Sequence, residues 1–179
     1  MKKRIFSALK SCQPYAASFV FILVAVDAFA NPLSAGANTL APFNAVGRID
    51  KVWIEGGVKV GAYNGMRIHV KFKVRDGVGA KCRIRANFAT ADGTRIVALT
   101  GADEYIDNSG HAVVTKEFTP PSAVAEYPDT KLAIPYWVLN LKESNENKMK
   151  FFVAVRCGED KVADSDWVAF SLPLGKANR

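Results

Sequence analysis

From Gly65 to Gly77 the chain alternates strictly. Met66, Ile68, Val70, Phe72 and Val74 share one parity, and Arg67, His69, Lys71, Lys73 and Arg75 share the other. Successive side chains of a strand point to opposite faces, so this stretch predicts a strand with one apolar and one basic face. The same period recurs after a Gly-rich turn at Asp76 to Gly79, where Cys82, Ile84, Ala86 and Phe88 alternate with Lys81, Arg83, Arg85 and Asn87. Two such runs joined by a short turn predict a β-hairpin, here with one continuous basic face.

Period two continues along most of the chain. In residues 48–56 Ile49, Lys51 and Trp53 alternate with Asp50, Val52 and Ile54, a strand of mixed faces. A tight turn at 91–93 precedes a short strand over 95–99, and a turn at 108–110 separates two strand-like arms. Residues 119–130 carry three prolines and predict a loop, a crossing or an edge strand. Residues 131–141 are extended but broken at Pro135, and residues 142–148 form a polar hairpin tip. Met149, Phe151, Val153, Val155 and Cys157 are in phase in another strand, and residues 166–172 close the domain. Seven or eight short strands, turn signals about every ten residues and no amphipathic helix predict an all-β fold. The expected form is an antiparallel, immunoglobulin-like β-sandwich, with a small barrel as the alternative.

The N-terminus changes the picture of where this domain works. Residues 1–10 are basic, residues 16–26 are apolar, and Ala28 to Ala30 make a small-x-small site, the layout of a removed export signal over residues 1–30. The apolar run is shorter than a membrane span and ends at Asp27, and no second hydrophobic span follows. Cys12 precedes the run, unlike the cysteine of a lipid-anchored precursor, which sits at the cleavage point. Residues 31–46 are then a flexible leader, 47–174 the sandwich domain and 175–179 a polar tail. Residues 1–30 hold four of the 24 basic residues and one of the 17 acidic ones, so the net charge of +7 falls to +4 without them. So mild a charge offers no argument for nucleic acid. Of the three cysteines Cys82 and Cys157 remain, both on inward parity; an oxidising compartment favours a disulfide, the alternative being two buried thiols.

The runs GMRIHVKFKV, ANFATADGTRI, EYIDNSGHAVV, YPDTKLAIPYWVLNL, KFFVAVRCGED and SDWVAF carry a resemblance. A Gly-Met opens a long strand, an Asp-Gly turn follows an aromatic strand, and a Pro-Tyr precedes a Leu-x-Leu. The chain resembles, over residues 65–172, a β-sandwich accessory domain of secreted or multidomain bacterial proteins, found beside peptidase-like or repeat segments. These motifs are turns and core positions, so the resemblance implies a fold and no active site.

Candidate chemistry is sparse. His69 and His111 are the two histidines, neither lies in a nucleophile motif, and both are expected as solvated surface side chains. The oxygen-rich residues 103–110 could ligate calcium, but their spacing departs from an EF-hand loop and fits turn chemistry better. No Cys/His spacing suggests zinc, and no metal, cofactor or catalytic residue is assigned. The pairs Asp103/Glu104, Glu159/Asp160 and Asp164/Asp166 lie near turns, where a glycoside hydrolase would need two acids across a cleft. Trp53 and Trp167 are expected in the core, and Tyr127, Tyr136 and Trp137 are the aromatics best placed for exposure, although plugging the end of the sandwich is the more ordinary role for them. The basic set Arg67, Lys71, Lys73, Arg75, Lys81, Arg83 and Arg85 is either a solvated face or a docking surface.

Taken together, the expectation is an exported, periplasmic or secreted, non-catalytic binding module. Its basic hairpin would dock an anionic cell-envelope polymer or an acidic protein surface, with Tyr136 and Trp137 as secondary contacts. The alternative is a small exported carbohydrate-active enzyme or hydrolase using loop carboxylates. A third reading, a subunit assembled by strand addition, would need residues 95–99 as a free edge.

Overall fold

The computed structural model describes residues 44–140 and 147–172. Residues 1–30, most of the leader, most of the polar tip and the C-terminal tail lie outside the described residues. Among those described, eight strands form two antiparallel sheets: β1 (Val46–Val60), β2 (Tyr63–Arg75), β3 (Cys82–Thr90), β4 (Val113–Phe118), β5 (Val124–Pro135), β6 (Asn147–Cys157), β7 (Asp160–Asp164) and β8 (Val168–Leu172). The first sheet has the order β1-β2-β5, and the second has β4-β3-β6-β7, with β8 also on β6. Asp103–Tyr105 and Tyr136–Leu139 are short 3₁₀ turns. No helix among the described residues is long and apolar enough to cross a membrane.

The predicted hairpin between β2 and β3 does not form. β2 pairs β1 on one side and β5 on the other, whereas β3 lies in the second sheet between β4 and β6. Residues 76–81 carry the chain between sheets, and the β4–β5 connection crosses beside them. Asp76 N–H donates to Ala123 O at 2.9 Å and Gly79 N–H to Pro120 O at 3.2 Å. Asp76 and Gly79 take positive φ of 56° and 75°, which turn the chain out of the first sheet. The alternation is the same whether two strands pair side by side or face each other across a core, since both arrangements bury the same parity.

That parity is obeyed in detail. Met66, Ile68, Val70, Phe72 and Val74 of β2 face Cys82, Ile84, Ala86 and Phe88 of β3 and Met149, Phe151, Val153, Val155 and Cys157 of β6 in one buried cluster. β1 departs from its apparent pattern because Asp50 is an extra, bulged residue opposite β2. The bulge shifts parity by one, so Ile49, Val52 and Ile54 all pack on the core while Lys51 and Trp53 turn outward. Trp53 is therefore not a core residue. Val124–Pro135, the proline-bearing segment, pairs only with β2 and is an edge strand. Residues 95–99, expected as a strand, make only isolated bridges, Arg95 to Ala89 and Val97 to His111, and so offer no free edge.

Cys82 and Cys157 form a disulfide and face each other directly across β3 and β6. The bridge thus staples neighbouring strands of one sheet and does not link the two sheets. It closes a loop with a sequence separation of 75, for which the chain-entropy model assigns about 4 kcal/mol. β7 and β8 lie end to end along one edge of β6, and Ser165 spans the break. Its N–H donates to Val153 O at 2.8 Å, and its Oγ accepts the Val153 N–H at 2.9 Å. A side-chain oxygen replaces one ladder carbonyl there, so the edge continues to Trp167 with little loss of pairing.

Candidate functional site

Splitting β2 from β3 divides the expected basic face between two outer surfaces on opposite sheets. On the first sheet the cations are met by acids. Arg67 Nη1 lies 2.7 Å from Glu55 Oε2 across β1, and Lys73 Nζ lies 2.6 Å from Glu126 Oε1 across β5. Lys131 Nζ reaches Asp129 Oδ2 at 3.6 Å. Lys71 and Arg75 are exposed and contact no carboxylate among the described residues. Lys71 stands opposite Lys51, whose ammonium sits 5.2 Å from the Trp53 ring centroid.

His69, expected as a solvated histidine, is 8% exposed at the centre of this face. Its ring stacks on Trp53 with centroids 4.9 Å apart. Nδ1 lies 2.7 Å from Asp129 Oδ1 and Nε2 lies 3.3 Å from Glu55 Oε2. Both nitrogens can donate to both carboxylates only when the ring carries two protons. The hydrogen bond from His69 is the largest cause holding Glu55 and Asp129 below their ordinary carboxylate values. Asp129 reaches the ring because β5 bulges between the partners of Val70 and Phe72, a feature that strict alternation does not foretell.

The outer face of the second sheet is arranged differently. Across its strands runs a row of Glu117, Arg83, Arg156 and Lys161, followed by a row of Thr115, Arg85, Ala154 and Asp164. Arg83 and Arg156 are direct cross-strand neighbours, a like-charge pairing that opposes strand association. With Arg95 they ring a cleft of about 300 Å³ whose lining includes Asn87, Phe152 and Asp164. Acids only partly answer this charge. Arg95 Nη2 lies 3.1 Å from Asp107 Oδ2, and Arg83 lies 3.8 Å from the highly exposed Glu159. Among the described residues Arg85 donates only to the Thr115 hydroxyl at 3.2 Å, and Arg156 only to the Glu159 carbonyl at 3.3 Å. Burial, then the neighbouring Arg83, lowers the pKa of Arg85; Asp107 acts against them, and Arg95 and Arg156 add to the lowering. Asn87 is 6% exposed.

Of the residues expected to bind, Arg83 and Arg85 belong to this cleft. Lys81 precedes β3, is exposed, and lines a separate depression with Glu117 and Glu159 near the disulfide. Tyr136 is not available as a contact: it is 2% exposed, and its hydroxyl accepts the N–H of Gly57 at the second β1 bulge, 2.9 Å away. Trp137 is half-buried, edge-on to Tyr63 at 5.6 Å. Tyr127 stacks on Phe72 at 4.5 Å and plugs the sandwich edge. Trp167, expected in the core, is 47% exposed beside the cleft. Sequence reasoning did not single out Arg95 or Arg156, and it placed Trp167 in the core instead of at a binding face. Outward parity in residues 149–157 marks Phe152, Ala154 and Arg156 as surface positions, but not that their strand lies beside β3.

His111 is half-buried against its own turn. Its N–H donates to Asp107 Oδ1 at 3.0 Å, and the Ser109 N–H donates to the same oxygen at 2.9 Å. Asp107 therefore closes the 107–110 turn and pairs Arg95, the turn role expected of this segment.

No family model and no curated protein matches the chain. Among solved structures, it is similar to the solution structure of a candidate late embryogenesis abundant (LEA) protein. That similarity is 12% identity over 78% of each chain, with a TM-score of 0.36.

Proposed function

We propose that the chain is an exported, non-catalytic binding domain of immunoglobulin-like architecture that holds an anionic envelope partner in the arginine cleft of its second sheet. One observation carries the reading: Arg85 and Arg156 are crowded by other guanidiniums and form no ion pair with a carboxylate among the described residues, the charge of Asp107 only partly offsetting the crowding at Arg85. A planar guanidinium stays charged, so such crowding is relieved by a bound oxyanion and not by proton loss. Export is supported by the basic, apolar and small-residue order of residues 1–30. The disulfide is compatible with the same compartment. The immunoglobulin-like assignment is supported by the facing orders β1-β2-β5 and β4-β3-β6-β7 and by the crossings between them. The hydrolase reading finds less support, because each carboxylate with a displaced pKa among the described residues is displaced downward, the wrong direction for a general acid.

The test is binding of the purified protein to dextran sulfate across a salt series, with two double variants. Arg85→Glu with Arg156→Glu is expected to abolish binding, and Lys51→Glu with Lys71→Glu, an equal charge change on the first sheet, to leave most of it. Equal losses in the two variants would reduce the effect to net charge and sink the assignment to the cleft.

A further inference from the structure

The outer face of the second sheet pairs the arginine cleft with an aromatic platform. Phe152 lines the cleft, and Trp167 leans on it edge to face, with centroids 4.8 Å apart. Lys150 Nζ sits 4.9 Å from the Trp167 ring centroid. Lys150, Phe152, Ala154 and Arg156 alternate on this face of β6, which spaces neighbouring positions by about 7 Å and the outermost two by about 20 Å. Along one strand, therefore, run an ammonium, an aromatic step, a cleft and a guanidinium. Asn87, directly opposite Phe152, adds to the cleft lining an amide able both to donate and to accept.

We infer that this face binds an acidic polysaccharide, a pyranose ring resting against Trp167 while ring carboxylates enter the cleft at Arg85 and Arg156. This deepens the anion-binding reading and rests on it. Each feature matches one part of such a ligand. The C–H face of a pyranose is apolar and flat enough to cover an exposed indole, and its hydroxyls suit an amide that both donates and accepts. A carboxylate takes two parallel N–H bonds from one guanidinium. The strip is long enough to engage several consecutive sugars, so weak contacts add along one chain. An acidic polypeptide uses the charges equally well but has no need of the indole, and this difference separates the two partners.

The experiment is titration of the full-length protein with oligogalacturonate, its methyl-esterified form and polyglutamate, followed by tryptophan fluorescence and calorimetry. The variants are Trp167→Ala and Arg85→Gln with Arg156→Gln, each checked for folding by circular dichroism. The expected result is oligogalacturonate binding that weakens about tenfold in Trp167→Ala, is lost in the double variant, and is absent for the methyl ester. Polyglutamate binding as tight as that of the uronate, with Trp167→Ala indifferent, would overturn the saccharide inference and leave the anion-binding reading standing. Uronate binding unchanged in the double variant, or no binding of any polyanion, would overturn both.

Discussion

The outer faces of the two sheets start from similar material and end in opposite electrostatic states. Each is built on a strand with alternating cations, β2 with Arg67, Lys71 and Lys73 and β3 with Arg83 and Arg85. Around β2 the neighbours β1 and β5 supply Glu55, Glu126 and Asp129, and a buried histidine links two of them. Around β3 the neighbour β6 supplies another arginine, and a loop supplies a fourth. At its centre the first face is internally satisfied and contributes to holding its sheet together, with Lys51, Lys71 and Arg75 left exposed around it. The second keeps its charge only partly compensated in a concave place, which makes it the better place to look for binding.

The first face depends most heavily on His69. Replacing it by alanine removes the stacking partner of Trp53 and leaves two carboxylates facing each other without a shared donor. Thermal or urea unfolding is expected to show a loss of about 2 kcal/mol, and a loss below about 0.5 kcal/mol would mean the face is not held by this ring.

A smaller effect is expected from acid. Glu55 and Asp129 are held below their ordinary values of 4.5 and 3.8, so the unfolded chain binds their protons first as pH falls. Their stabilisation is complete above the ordinary carboxylate range and is lost as pH drops through it toward the depressed folded values. In unfolding curves from pH 7 down to pH 3, Glu55→Gln with Asp129→Asn is expected to flatten the acid limb. An unchanged limb would place the acid sensitivity elsewhere.

The smallest effect should carry the opposite sign. Arg85→Gln relieves repulsion from Arg83, Arg95 and Arg156, gives up a smaller attraction to Asp107, and leaves an amide that can still reach Thr115. Stability is expected to rise by about 0.5 kcal/mol in low salt, with the gain shrinking as salt is added. A loss of stability instead would show that Arg85 is a structural residue and that the second face is as satisfied as the first.

Residue alternation alone determined that the chain is all-β, which residues of β2, β3 and β6 line the core, and that both cysteines point inward, because the period of a strand is two whatever it pairs with. The charged parity of β2 and β3 was legible for the same reason. What decided the site was which strand lies beside which. Pairing partners are set by crossings such as residues 76–81, whose positive-φ turns and contacts to Pro120 and Ala123 involve residues some forty positions away. Bulges at Asp50 and in β5 then reversed the local parity, sending Trp53 outward and bringing Asp129 to His69. Arg156 and Trp167 join Arg83 and Arg85 only through long-range registers, whereas Arg95 returns on the turn that follows β3. The sequence thus determined each strand's two faces, and tertiary structure alone decided which faces adjoin, because side-chain period is local and strand pairing is not.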